Sequence, residues 1–123
     1  MYQVIPIESP FGIIVAMKIL KFQKDLVPLV LNGSKTSTWR AFDDKDLSVG
    51  DNLELRTFET GESFAFVKIT SVIEKTFGEL TDDDKVGHET FKSDEEMYET
   101  YSRYYSTPIG PTSKVKIAHF ELI

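Results

Sequence analysis

Residues 31–40 read LNGSKTSTWR and are the most informative part of this sequence. The preceding residues 23–32 carry leucine and valine at helical spacing, and Gly33 is the residue type that commonly ends a helix. Pro28 fits such a helix only in its first turn. Residues 35–40 are rich in β-branched and aromatic side chains, which favour a strand. The sequence therefore predicts a helix, a glycine turn and a strand.

The same segment concentrates groups that bind anions, carbonyls and bases. Backbone amides of a glycine turn, together with Lys35 and Arg40, can neutralise a phosphate or polarise a carbonyl. Threonine hydroxyls can hydrogen-bond base edges, and Trp39 or Arg40 can stack on a base. The pattern is equally typical of a plain helix–strand turn with a polar edge strand. The candidate ligand-binding residues of this segment are Gly33, Ser34, Thr36, Trp39 and Arg40.

The rest of the chain reads as strands with a few helices. A hairpin is predicted from residues 52–58 and 63–77, with Gly61 in its turn. Ser93 followed by Glu96 is a capping-box signature, so a helix is expected over Asp94–Tyr105. Further strands are predicted at Lys18–Phe22 and Lys114–Leu122, and a short helix within the acidic segment Gly78–Thr90. About five strands with two or three flanking helices indicate an α+β, barrel-like domain.

Strict alternation along the second hairpin strand predicts which side chains share a face. Ala65, Val67, Ile69 and Ile73 fall on one face, and Phe64, Phe66 and Val72 fall on the other. Because both faces are largely apolar, the strand is expected to be central in a closed or covered sheet.

Composition limits the function classes. A chain of 123 residues forms one ordinary domain, and the absence of cysteine excludes disulfides, thiolate catalysis and Cys-based zinc sites. The net charge of −6 argues against a general nucleic-acid coat protein. Residues 17–40 nevertheless carry five basic residues against one acid, whereas residues 79–99 carry nine acids against two lysines. An anionic ligand is therefore expected near residues 17–40.

Residues 1–16 are predicted to be an N-terminal extension, and residues 17–123 the domain. The orderly pattern begins at Met17, and Pro6 and Pro10 suggest an irregular extension. The apolar run from Phe11 to Leu20 is shorter than the roughly 20 residues that span a bilayer, and no basic signal-peptide region precedes it. We expect a cytoplasmic protein with no membrane partner.

The segment LNGSKTSTWR resembles the signature of the ASCH family, in which a helix ends in G-x-K-x-x-T-x-R. Gly50-Asp51 before residues 53–55 is similar to the turn that leads into a barrel strand of that family. Gly87-His88-Glu89 is similar to an element of its acidic loop, and the C-terminal strand Val115–Leu122 matches as well. The resemblance covers the chain from about Met17 to its end and implies a PUA-like β-barrel.

The resemblance also implies a function and site residues. ASCH domains are related to RNA-binding PUA domains, so a cleft for RNA or a modified nucleobase or nucleoside is expected, with His88 among its ligand-binding residues. One bacterial branch is an amidohydrolase that deacetylates N4-acetylcytidine with a lysine, a threonine and a glutamate. By similarity Lys35 would be the base, Thr38 the nucleophile and Glu89 the proton donor, with Glu79 as the alternative acid. Meeting Thr38 requires that Lys35 still belong to the turn, because strict strand alternation would place the two on opposite faces.

Other features point to weaker alternatives. His88 and His119 are the only histidines and lack a second ligand pair, so no metal and no cofactor are expected. The acids at 82–84 lack the spacing of a calcium loop and read as a helix start. Tyrosines at helical spacing over residues 98–105 are typical of core packing, but one or two of them, with Arg103, could line the cleft. A third function, docking of an unidentified protein partner on this tyrosine helix, stays open.

Overall fold

The computed structural model describes residues 4–8, 14–42 and 45–123, with the backbone alone for 4–8 and 14–16. Six strands form one sheet in this part of the chain, in the order β1-β2-β4-β5-β6-β3. The strands are β1 (Val4–Glu8), β2 (Ile14–Phe22), β3 (Ser37–Arg40), β4 (Asn52–Thr57), β5 (Ser63–Thr76) and β6 (Lys114–Leu122). The β2–β4 pair is parallel and the other four are antiparallel. The mixed sheet curls into a half-barrel, and the predicted α+β class is confirmed.

Three α-helices accompany the sheet in the described residues: α1 (Val27–Leu31), α2 (Asp82–Lys85) and α3 (Asp94–Tyr105). A 3-10 turn at Lys24–Leu26 leads into α1, whose first turn holds Pro28 as its sequence requires. A second 3-10 turn covers Phe77–Glu79. Helix α3 begins as predicted: the Ser93 side chain accepts a hydrogen bond from the Glu96 amide at 3.1 Å and caps the start of the helix.

The predicted hairpin is formed by β4 and β5. The Gly61 amide donates to the Thr57 carbonyl at 2.7 Å, and the φ of +75° at Gly61 lies in the region that glycine tolerates best. The turn therefore uses the glycine that the sequence places in it.

The expected face pattern of β5 is wrong in its second half. Ala65, Val67 and Ile69 are buried as predicted, but the register with β6 shifts between Ile69 and Ser71. Such a bulge reverses the faces that follow it. Val72 consequently packs against the buried core, and Ile73 is 41% exposed.

The N-terminal residues differ from their expected irregularity. Val4–Glu8 forms β1, paired with the first half of β2, which begins at Ile14 rather than at Lys18. Since β1 is an edge strand of the sheet, it can accept Pro6, which has no amide to donate. Pro10 lies outside the described residues. The division into an extension and a domain at Met17 stays a prediction.

Two buried clusters hold the domain together. The barrel core lies inside the curled sheet, and β2, β4, β5 and β6 supply most of it, with Val30 of α1 and Leu47 added. Its largest side chains are Phe22 and Phe120. The helix core joins α3 to the sheet and contains Trp39, Phe77, Met97, Tyr101, Ile109, Val115 and Ile117. Strand β3 carries Trp39 and pairs with β6 at the edge of the sheet. Through Trp39 the helix core therefore reaches strand β3.

Candidate functional site

The turn after α1 places Lys35 ahead of strand β3. The φ of Gly33 is +84°, and the Lys35 amide donates back to the Leu29 carbonyl at 2.9 Å, which closes the turn. Strand β3 begins only at Ser37, two residues later than predicted. Lys35 is therefore a turn residue, which is the condition under which it can share a cleft with Thr38.

The Lys35 side chain is buried, with only 4% of the residue exposed. Its Nζ atom lies 2.6 Å from Glu89 Oε2 and 5.6 Å from the centroid of the Phe22 ring. Burial lowers the pKa of Lys35 below its ordinary value, because it disfavours the ammonium, and the Glu89 carboxylate partly opposes that shift. Lys35 is thus closer to losing its proton than an exposed lysine.

The loop that carries Glu89 is bound to the start of β3 through Gly87. The Gly87 carbonyl accepts the amides of Thr36 at 2.8 Å and Ser37 at 3.1 Å. The φ of Gly87 is +78°, and a Cβ at this position would lie 2.0 Å from Thr36 Oγ1. Glycine is therefore required both by the backbone conformation and by the close approach of the two segments.

His88 is buried beside this contact and is held by a ring contact and two polar contacts. Its ring stacks on Trp39 with 3.7 Å between centroids and 12° between planes. Nδ1 lies 2.9 Å from the Glu89 carbonyl oxygen, and Nε2 lies 3.2 Å from the Tyr101 hydroxyl. Burial first, and the Lys35 charge second, lower the pKa of His88 to about 4, so the imidazole is neutral at pH 7.

Glu89 is ionised in this setting. Burial would raise its pKa, but neighbouring positive charge and the hydrogen bond from Lys35 outweigh burial, and the pKa of Glu89 lies below its ordinary value. His88 is neutral at pH 7, so the ammonium of Lys35 is the positive partner there. The resting site therefore contains a buried ion pair.

These groups line a cleft of about 350 Å³, a size typical of small-molecule sites. Aromatic rings supply much of its wall, and its charged side chains are three cations and one acid. The lining residues are Lys21, Phe22, Gln23, Leu26, Lys35, Thr38, Trp39, Arg40, Phe58, His88, Glu89, Tyr101, Tyr104 and Tyr105. The cleft is thus an aromatic pocket with local positive charge, inside a chain whose net charge is −6.

The structure brings six of the nine candidate residues together. Those that line the cleft are Lys35, Thr38, Trp39, Arg40, His88 and Glu89. The remaining three, Gly33, Ser34 and Thr36, lie outside the cleft lining and shape the turn instead: the Ser34 amide donates to Asn32 Oδ1 at 2.8 Å. Trp39 is only 4% exposed, and His88 stacks on its ring, so Trp39 is mainly a core residue. Its stacking on a base stays a prediction.

The two candidate glutamates are separated by the structure. Glu89 faces the cleft, whereas the carboxylate of Glu79 accepts the amide and hydroxyl of Thr76 at 2.9 and 2.8 Å. Glu79 therefore caps a 3-10 turn, and Glu89 is the acid beside Lys35.

Several cleft residues were missed by sequence reasoning. Phe22 ends β2, Leu26 directly precedes α1, and Phe58 follows β4 with 64% of its surface exposed. An apolar ring at the tip of a polar hairpin was a usable signal for Phe58. Tyr101, Tyr104 and Tyr105 line the cleft, as the alternative reading of the tyrosine helix proposed, but Arg103 lies on another face with Tyr98 and Ile109.

The other titratable clusters are structural. Within residues 4–8, 14–42 and 45–123, no three His, Cys, Asp or Glu side chains come close enough to hold a metal ion. The acids at 82–84 start α2, as predicted, and Asp84 accepts a hydrogen bond from Lys75 at 2.6 Å. His119 is half-buried on β6. No helix of the described chain is both long and apolar enough to cross a membrane.

The chain has the fold of solved ASCH domains. Its structure is similar to an ASCH domain from Lactobacillus crispatus, with a TM-score of 0.64 and 15% identity over 85% of this chain and 79% of the other. An ASCH protein from Zymomonas mobilis gives a TM-score of 0.64 and 9% identity over 85% and 66% of the two chains. A protein from Pyrococcus furiosus, solved by NMR, gives a TM-score of 0.62 and 20% identity over 87% and 97%. No family model and no curated protein matches the sequence.

Proposed function

We propose that the cleft binds one nucleobase, presented either by a free nucleoside or by an unpaired stretch of RNA. The observation that carries the proposal is the buried Lys35–Glu89 pair at 2.6 Å inside an aromatic cleft of about 350 Å³. Aromatic side chains stack on bases of any sequence, and paired donors and acceptors recognise a base edge. Cleft size, aromatic walls and a charged pair together suit a base better than an apolar ligand.

Charge favours a short ligand over a long polymer. The cleft has Lys21, Lys35 and Arg40 against Glu89, but the whole chain has a net charge of −6. A long RNA would pass over acidic surface, whereas a nucleoside or a few nucleotides would meet only the positive region. A free nucleoside is therefore the preferred form of the ligand.

Calorimetric titration with the four nucleosides, N4-acetylcytidine and a short single-stranded RNA tests this proposal. We expect at least one nucleoside to bind, and Lys35→Met to weaken that binding at least about tenfold, because a charge-assisted hydrogen bond is lost. Lys68→Met, which removes an exposed lysine of β5, is the matched control and should bind as wild type does. RNA affinity that falls steeply with salt would identify phosphate contacts. Absence of binding by every nucleoside and RNA at low salt would rule the proposal out.

A second candidate function is hydrolysis of an N-acylated nucleoside such as N4-acetylcytidine. The observation that favours it is the position of Lys35 in the turn, which lets its buried side chain line the same cleft as Thr38 and Glu89. A threonine hydroxyl is a weak nucleophile and needs a base nearby. Burial lowers the pKa of Lys35, which brings it closer to that role.

The proton movements of this reaction balance within the three residues. Transfer of the Lys35 proton to Glu89, along their hydrogen bond of 2.6 Å, gives a neutral amine and a carboxylic acid. The amine then takes the Thr38 hydroxyl proton as Oγ1 forms a bond to the acyl carbon, and Glu89 returns its proton to the leaving nitrogen as the C–N bond breaks. Water next hydrolyses the acyl ester on Thr38 and releases the free acid.

Incubation with N4-acetylcytidine, followed by chromatography for cytidine, tests the hydrolase candidate. We expect Thr38→Val to abolish turnover and Thr38→Ser, which keeps a hydroxyl, to retain part of it. Thr112→Val removes an exposed hydroxyl outside the cleft and serves as the control. Nucleoside binding without any cytidine release would leave the binding function and reject hydrolysis of this substrate.

A further inference from the structure

The hydrogen-bond direction around His88 can be assigned without observing a hydrogen atom. A backbone carbonyl only accepts, so the 2.9 Å contact between His88 Nδ1 and the Glu89 carbonyl requires a proton on Nδ1. With a pKa of about 4, His88 is neutral at pH 7 and has a single N–H. Nε2 is therefore an acceptor, and the Tyr101 hydroxyl, 3.2 Å away, donates to it.

This chain of bonds leaves the Tyr101 oxygen with only acceptor capacity. Its one hydrogen is directed at His88, and no other hydrogen bond to the hydroxyl is found in the described part of the chain. Burial raises the pKa of Tyr101 well above its ordinary value, so the hydroxyl keeps that hydrogen. Tyr101 lines the cleft beside Glu89, whose second carboxylate oxygen is likewise an acceptor.

We propose that Tyr101, held by His88, is a specificity-determining residue: it selects ligands that present an N–H donor to the Tyr101 hydroxyl oxygen. This inference rests on the proposed nucleobase-binding function. Cytosine has an exocyclic N–H at the position where uracil has a carbonyl oxygen. A ligand carbonyl opposite the Tyr101 oxygen would place two hydrogen-bond acceptors together. A site that accepts a hydrogen bond from its ligand rejects an analogue that has an acceptor in place of the donor. The cleft should therefore prefer cytidine or its N-acyl derivatives to uridine.

Substitution of Tyr101 by phenylalanine tests this selection. Tyr101→Phe keeps the ring in the helix core and removes only the hydroxyl, and Tyr98→Phe on the same helix removes a hydroxyl outside the cleft. In calorimetric titrations we expect wild type and Tyr98→Phe to bind cytidine more tightly than uridine. We expect Tyr101→Phe to lose about tenfold in cytidine affinity and to bind uridine at least as tightly as wild type does, because the opposing acceptor is removed.

A measurement on the wild-type protein keeps the inference falsifiable if Tyr101→Phe does not fold. The ¹⁵N chemical shifts of the His88 imidazole distinguish a proton on Nδ1 from one on Nε2, and we expect the Nδ1–H form at pH 7. An Nε2–H form would overturn the inference. So would equal loss of cytidine and uridine affinity in Tyr101→Phe, but nucleobase binding would then still stand. If the wild type binds no nucleoside, the proposed function and this inference both fail.

Discussion

Lys35 Nζ lies 2.6 Å from Glu89 Oε2, although the two residues are 54 positions apart in the chain. The lysine side chain is 3% exposed and the glutamate side chain 28% exposed, so the pair is screened by water on the glutamate side only. Removal of one partner of a buried pair leaves the other charge unpaired, which costs more than the pair itself contributes.

Lys35→Met should therefore destabilise the domain by about 2 kcal/mol, a value reduced from that of a fully buried pair because Glu89 keeps contact with water. Lys35→Met combined with Glu89→Gln should recover part of that loss, because no charge remains unpaired. Urea unfolding of the two variants and of Glu89→Gln closes a double-mutant cycle. A loss of stability in the double variant equal to the sum of the two single-variant losses would contradict a coupled pair.

The site also predicts how stability depends on pH. His88 has a pKa of about 4 in the folded protein and about 6.5 in the unfolded chain, so the unfolded state binds more protons between these values. Stability should consequently fall as the pH decreases through this window, by about 2 kcal/mol between pH 7 and pH 5 for this residue alone. The lowered pKa of Glu89 acts in the same direction at still lower pH.

Urea unfolding of wild type and His88→Gln at pH 7 and pH 5 measures this contribution. The variant should show a smaller loss of stability on acidification, whatever its stability at pH 7. A variant that loses as much as wild type would show that His88 is not the titrating group.

A side chain at position 87 is predicted to destabilise the domain. Alanine at a positive φ costs about 1 kcal/mol of backbone strain, and at Gly87 its Cβ would also overlap Thr36 Oγ1 at 2.0 Å. We expect Gly87→Ala to cost about 1–2 kcal/mol more than Gly61→Ala, whose φ of +75° is similar but whose Cβ would meet nothing within 4 Å.

The same comparison tests the role of Gly87 in positioning the site. Gly87→Ala moves the loop that carries His88 and Glu89, so nucleoside binding should weaken in this variant and not in Gly61→Ala. If Gly87→Ala and Gly61→Ala lose equal stability and both bind as wild type does, then the Thr36 side chain moves away from the new Cβ without a measurable cost.

The elements governed by local signals could be predicted from the sequence. The start of α3 follows from Ser93, and Gly61 fixes the hairpin turn, because capping and turn conformations depend on neighbouring residues. Local patterns predicted the site only in its contiguous half, from Lys35 to Arg40, and His88 and Glu89 entered the prediction through the resemblance to the ASCH family. The choice of Glu89 over Glu79 depends on a contact across 54 residues, which no local pattern encodes.

The bulge in β5 shows a second limit of sequence patterns. Alternation assumes one residue per pleat, and an extra residue between Ile69 and Ser71 changes the face of every side chain after it. β-branched residues occur in β5 both before and after the shift, so nothing local marks its position. The faces could therefore be predicted only as far as Ile69.

A pair of neighbouring substitutions tests the bulge. Val72 packs against the barrel core, so Val72→Thr should destabilise the domain by about 1–2 kcal/mol, because it places a hydroxyl against apolar side chains. Ile73 is 41% exposed, and Ile73→Thr should change stability by no more than about 0.5 kcal/mol. Uninterrupted alternation from Ile69 would give the opposite order, with the larger loss at Ile73. Urea unfolding of the two variants side by side therefore decides whether the register shift is present in solution, because both substitutions introduce the same residue one position apart.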